Sequence, residues 1–134
     1  MTSLDALFEA ARDVQARAYA PYSSFKPGAA VARESGRTFA GCNVENAAYP
    51  IGTCAEAAAI AAMIAAGESR IAAVVVMGEG DQLVTPCGAC RQRIREFAGP
   101  ETPIHVAGPD GVRAHFTLES LLPFSFGPDN LARS

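Results

Sequence analysis

Cys54 stands two residues before Glu56, and Cys87 and Cys90 lie three apart in Pro86-Cys87-Gly88-Ala89-Cys90. Residues at i and i+3 of a helical turn share a face, so Cys87 and Cys90 can grip one ion while Cys54 approaches it from another element. Zinc takes thiolates, and a helix N-terminus, with partial positive charge and free amides, favours anionic sulfur. Three protein ligands leave the fourth tetrahedral position open, where a water is acidified from a pKa of about 16 to about 7. Glu56 is badly placed to ligate beside Cys54 in the same turn but well placed to stand over the ion. A carboxylate there can take a proton from water, pass it to a ring nitrogen and later deliver one to a departing amine. The expected chemistry is hydrolysis on one catalytic zinc per subunit.

A structural zinc site would use the same cysteines, but such sites usually have four Cys or His ligands. Cys42 could be that fourth ligand. A lone cysteine on a strand is more often a small buried apolar residue, and that reading is favoured here. His105 and His115 lack metal-ligand spacing to the cysteines and read as ordinary strand residues.

The elements around these residues follow from periodicity and turn chemistry. Ser3 precedes Leu4, Leu7, Phe8, Ala11 and Val14 at helical spacing, which predicts a capped amphipathic helix to about Ala18. Residues 20–28 are turn formers with two aromatics, a surface loop. Ala29–Arg33 and Thr38–Val44 flank Glu34-Ser35-Gly36-Arg37 and predict a β-hairpin. The run Ala57–Ala66 is apolar on every side, which predicts a helix buried all round and therefore packed into a subunit interface. Ile71–Met77 reads as a strand and Cys87–Phe97 as an amphipathic helix. Ile104–Ala107 and Val112–Phe116 read as strands about an Asp110-Gly111 turn, before a short helix over Thr117–Leu122. Alternating strands and helices with an antiparallel first hairpin imply a layered α/β domain on a mixed sheet.

Bulk properties exclude several classes. The length suits one domain over residues 1–134. The formal net charge is -3 and no run of Lys or Arg is present, so the footprint of a phosphate-binding surface is missing and no nucleic-acid partner is expected. The longest apolar stretch, Ala57–Gly67, is too short to span a bilayer, so no membrane partner is expected. With Asp5 and Glu9 inside its apolar N-terminal pattern the chain reads as cytoplasmic, where cysteines serve metals or catalysis rather than disulfides.

The spacing ligand-x-Glu followed by Pro-Cys-x-x-Cys is the zinc deaminase signature, with cysteine replacing histidine as first ligand. Further pieces widen the likeness: Tyr22-Ser23-Ser24-Phe25 with Pro27-Gly28-Ala29-Ala30, Gly41-Cys42-Asn43-Val44-Glu45-Asn46-Ala47-Ala48-Tyr49, Thr53-Cys54-Ala55-Glu56, Pro86-Cys87-Gly88-Ala89-Cys90-Arg91-Gln92 and Leu121-Leu122-Pro123-Phe124-Ser125-Phe126-Gly127-Pro128. Over nearly its whole length the chain resembles the small, homotetrameric, three-cysteine cytidine deaminases. The resemblance implies a three-layer α/β/α domain with a five-stranded mixed sheet, one Zn²⁺ per subunit, and deamination of cytidine and 2'-deoxycytidine in pyrimidine salvage. It implies that Asn43 and Glu45 bind the ribose hydroxyls, that Phe25 flanks the pyrimidine and that Ala55 adjoins the substrate. Ala47, Tyr49 and Phe126 would reach a neighbouring subunit's site.

One departure matters. Many relatives carry an arginine directly after the catalytic glutamate to offset the thiolate charge, and this chain has Ala57. Arg91, next to Cys90, is the expected substitute. Blasticidin S deaminases share the cysteine pieces and also lack that arginine, so they are an alternative reading, but Asn43-Val44-Glu45-Asn46 favours cytidine. A non-catalytic zinc or nucleoside-binding module is a further alternative, disfavoured because a binder needs no Glu56.

Overall fold

A computed structural model describes residues 3–131. Helix α1 (Leu4–Gln15) starts where expected, with the Ser3 hydroxyl accepting from the Ala6 amide at 3.1 Å. It ends three residues short of the expected Ala18. The Arg17 and Ala18 amides bond back to Val14 and Gln15, and the chain then leaves to pair Tyr19 with residues 43–45. A tertiary pairing thus ends a helix that its own periodicity would have continued.

Five strands follow the expected segments: β1 (Gly28–Ala32), β2 (Thr38–Cys42), β3 (Ala73–Met77), β4 (Pro103–Gly108) and β5 (Gly111–Thr117). Their order is β2-β1-β3-β4-β5, antiparallel except for the parallel pair β3 and β4. Between those two runs α3 (Gly88–Phe97), a crossover helix of the kind a parallel pair demands.

Side chains alternate across the sheet and give each face its own core. Val74, Val76 and Ile104 pack with Ala59, Ile60 and Met63 of α2 (Ala55–Ala65), with Ile94 of α3 and with Leu118 of α4 (Leu118–Leu121). Ala30, Val75 and Met77 meet Leu7 and Ala11 of α1 on the other face. The result is the expected α/β/α sandwich on a five-stranded mixed sheet. Strand β1 is buried at every residue because both of its faces are covered.

Gly41 decides how closely α2 approaches. A Cβ there would lie 2.4 Å from the Ala59 amide nitrogen and 2.6 Å from the Ala58 Cβ, so the helix backbone rests directly on β2. Burial of α2 on every side does not hold within the chain. Ala55, Glu56, Ala59, Ile60 and Met63 are buried, while Ala61, Ile64 and Ala65 are exposed. A helix lying on one sheet face turns only part of its circumference to the core, so an all-apolar sequence leaves an apolar outer stripe. The 3₁₀ turn Tyr49–Ile51 and α5 (Pro128–Leu131) lie in segments without an expected element. No helix among the described residues is long and apolar enough to cross a membrane.

Candidate active site

Cys54 is the N-cap of α2 and Cys87 the N-cap of α3, and Cys90 follows in the first turn of α3. Neither N-cap cysteine uses its side chain to cap its helix. The three sulfurs lie within 4.8 Å of one another. Sulfurs around a tetrahedral zinc at about 2.3 Å sit about 3.8 Å apart, so a small inward movement closes the set on one ion.

The electrostatics of the cluster also suit a cation. Burial pushes the Cys90 and Cys54 thiols above their ordinary value, and the charges of Glu56 and the neighbouring sulfurs push the same way. Burial raises the Cys87 thiol as well, although Cys87 is exposed, but hydrogen bonds from the Cys90 backbone and thiol outweigh it and leave Cys87 the easiest to ionise. Four acidic groups crowded together resist joint ionisation, and a divalent cation among them removes that obstacle. Glu56 is only 6% exposed. Burial raises its pKa, against smaller opposing contributions from hydrogen bonds and from the Arg93 charge.

A cavity of roughly 460 Å³ opens beside Cys54, lined by Tyr22, Ser23, Asn43, Glu45, Tyr49 and Thr53 among others. Its floor is built by backbone pairing. The Val44 amide donates to the Thr53 carbonyl at 2.9 Å and the Thr53 amide to Val44 at 2.8 Å, while Tyr19 pairs from the other side. Val44 sits between, so Asn43 and Glu45, two residues apart on extended chain, share the face toward Cys54. The Glu45 carboxylate accepts the Tyr22 amide at 2.9 Å, the Ser23 amide at 3.2 Å and the Ser23 hydroxyl. Those bonds, the Ser23 hydroxyl first, hold its pKa below the ordinary carboxylate value. The Ser23 oxygen in turn accepts the Phe25 amide at 3.0 Å, so one side chain ties Glu45 to the Phe25 backbone. The sequence reading assigned Ser23 no role, since nothing in a local motif shows which distant carboxylate a loop wraps around.

Asn43, Glu45 and Tyr49 line the cavity with Cys54, whereas Phe25, Ala47, Ala55 and Phe126 do not. Phe25 and Ala47 are exposed, and Tyr49 and Phe126 are 73% and 58% exposed. Ala55 is fully buried. Cys42 is half-buried and stands outside the cluster, and His105 and His115 face each other across β4 and β5 with ring nitrogens 2.7 Å apart. A larger open depression of about 560 Å³ around Arg95, Phe124 and Asp129 shares no lining residue with the cysteine cavity.

Arg91 does not stand by the thiols. Its three guanidinium nitrogens donate to the Pro86 carbonyl at 2.7 Å, the Leu121 carbonyl at 2.8 Å and the Thr85 hydroxyl at 3.1 Å. Arg93 contacts the cluster instead, with Nη1 3.3 Å from the Cys90 sulfur. One residue along a helix turns the side chain about 100° away, whereas three bring it back to the same face. That i+3 relation was a signal available in the sequence.

Comparison with known proteins agrees with this geometry. Residues 1–106 match the family described as the cytidine and deoxycytidylate deaminase zinc-binding region. The chain is 35% identical over 129 residues to a cytidine deaminase of Sporosarcina psychrophila, covering 96% of this chain and 95% of the relative. It is 40% identical over 124 residues to a cytidine deaminase of Mycobacterium tuberculosis, covering 92% and 89%. Among solved structures, cytidine deaminase from Burkholderia pseudomallei superposes with a TM-score of 0.86 at 41% identity over 93% of this chain and 100% of that one. A match of this extent, over a three-thiol cluster built on two helix N-termini, makes the chain a member of the cytidine and deoxycytidylate deaminase family that carries the family's zinc-binding region.

Proposed function

We propose that the protein hydrolyses cytidine and 2'-deoxycytidine to the uridine forms with release of ammonia. The observation that carries this reading is a buried carboxylate, Glu56, beside three sulfurs within 4.8 Å of one another, of which that of Cys54 belongs to a residue lining a nucleoside-sized cavity. Cys54, Cys87 and Cys90 would hold zinc, which when bound would supply Lewis acidity to a water at neutral pH. Glu56 would take a proton from the attacking water, pass it to the ring nitrogen N3 and later deliver a proton to the leaving amine. A carboxyl whose pKa is raised by burial suits transfer in both directions near neutrality. Water adds at C4 and the C4 to nitrogen bond breaks, so the balance is water plus cytidine to uridine plus ammonia.

Recognition falls to the rest of the cavity. Glu45, held ionised by Ser23, accepts from a ribose hydroxyl, and the Asn43 amide can both donate and accept. Phe25 stacks on the pyrimidine and the Ala55 backbone borders it. Ala47, Tyr49 and Phe126 complete a neighbouring subunit's site in a cytoplasmic homotetramer serving pyrimidine salvage. The exposed apolar stripe Ala61, Ile64 and Ala65 supports association. Loss of cytidine absorbance is followed for wild type and Glu56→Gln beside a zinc assay. No turnover by zinc-loaded wild type rejects the assignment, and a monomer in sedimentation at micromolar concentration rejects the shared site.

A further inference from the structure

We infer that Arg93 is the residue that balances the charge of the zinc site, acting on Cys90 from the following turn of α3. The inference rests on the zinc-site reading above and adds a residue to it.

Three observations meet at this point. The Arg93 guanidinium lies 3.3 Å from the Cys90 sulfur, at the i+3 position that shares its helix face. Ala57 and Arg93 line the same groove between α2 and α3, with Ile60 and Ala61, so a cation on either helix would face that groove. Arg91 has each of its three guanidinium nitrogens bonded elsewhere, to Pro86, Leu121 and Thr85.

The site needs such a cation. Three thiolates on one Zn²⁺ leave a net charge of about -1, and the Glu56 carboxylate adds to it. The two helix N-termini supply only partial charges. Cys90 is the fully buried ligand, so solvent cannot offset a charge on its sulfur. A guanidinium stays charged at every working pH, and one bonded to that sulfur favours the thiolate and draws density from it. Arg93 is therefore a positioning and charge-balancing residue and touches neither water nor substrate.

The experiment measures zinc release from the purified full chain to an excess of the chromophoric chelator 4-(2-pyridylazo)resorcinol, with zinc content before mixing and steady-state kinetics alongside. Arg93→Gln is expected to weaken zinc retention by about 10- to 100-fold, as loss of an outer-shell partner does, and to lower kcat while KM stays put. Arg93→Lys and the double variant Arg93→Gln with Ala57→Arg each return a cation to the groove and are expected to move zinc release back toward the wild-type rate. A purely packing role would not respond to a cation supplied from the other helix. Release from Arg93→Gln at the wild-type rate, or a loss that neither cation-bearing variant reverses, overturns the inference. Wild type that holds no zinc overturns the site reading itself, an outcome separate from wild type and Arg93→Gln holding one equivalent equally well.

Discussion

Around Cys54, Cys87 and Cys90 the chain closes on itself: Cys90 and Glu56 are buried, the ligands start two helices, and both helices rest on one sheet face. Around residues 43–51 and 124–127 it stays open, with Tyr49 and Phe126 largely exposed and Phe124 wholly so. The reacting centre needs groups held to fractions of an ångström, which rigid elements provide. A recognition rim tolerates assembly from loops, and a second copy of the chain can complete it. The two regions thus differ in how far this chain alone closes them, and on the proposed function association would complete the open one.

The largest test of that separation is Glu56→Gln, expected to lower kcat by about 10²- to 10⁴-fold with zinc content unchanged in metal analysis. Gly41→Ala attacks the same region through its support. Its Cβ would meet the Ala59 nitrogen at 2.4 Å, and the expected cost is about 1–3 kcal/mol in denaturant unfolding. Ser23→Ala touches only the rim. Loss of the bond to the Glu45 carboxylate should raise KM about tenfold and leave kcat and zinc retention unchanged in steady-state assays.

Phe126→Ala probes whether the rim is shared. Its KM should rise less than for Ser23→Ala, and co-assembly with Glu56→Gln subunits should lower KM at the remaining active sites. An unmoved KM in the mixture would return Phe126 to its own subunit. The smallest effect lies outside both regions. Burial and the His115 charge hold His105 below its ordinary value of 6.5, so the unfolded chain binds that proton more readily. Stability is then expected to fall as pH drops through about 6.5, and to level off below the folded value. A melting series in which His105→Gln flattens this slope, with zinc retention unaltered, checks it.

Much of the site was legible because its signals are local. Cys54, Glu56, Cys87 and Cys90 announce themselves by spacing, and the turn of a helix converts that spacing into geometry. Strand runs such as Ile71–Met77 are legible for the same reason, since the sheet face is set by alternation. Arg91 and Arg93 show where proximity in sequence misleads: the adjacent arginine points at backbone carbonyls, and the one three residues on meets the sulfur. Ser23 lay beyond reach because its partner Glu45 is 22 residues away.

Sequence alone determined which groups could hold a metal and move a proton, and that sheet and helices would layer around them, because residue type and period follow from nearest neighbours along the chain. Tertiary structure alone decided that α1 stops at Gln15, that α2 keeps an exposed apolar stripe, that Glu45 is bound by Ser23 and that Arg93 faces Cys90. Each of these depends on which surfaces meet across long stretches of sequence, and packing sets those meetings only once the sheet has brought the elements together.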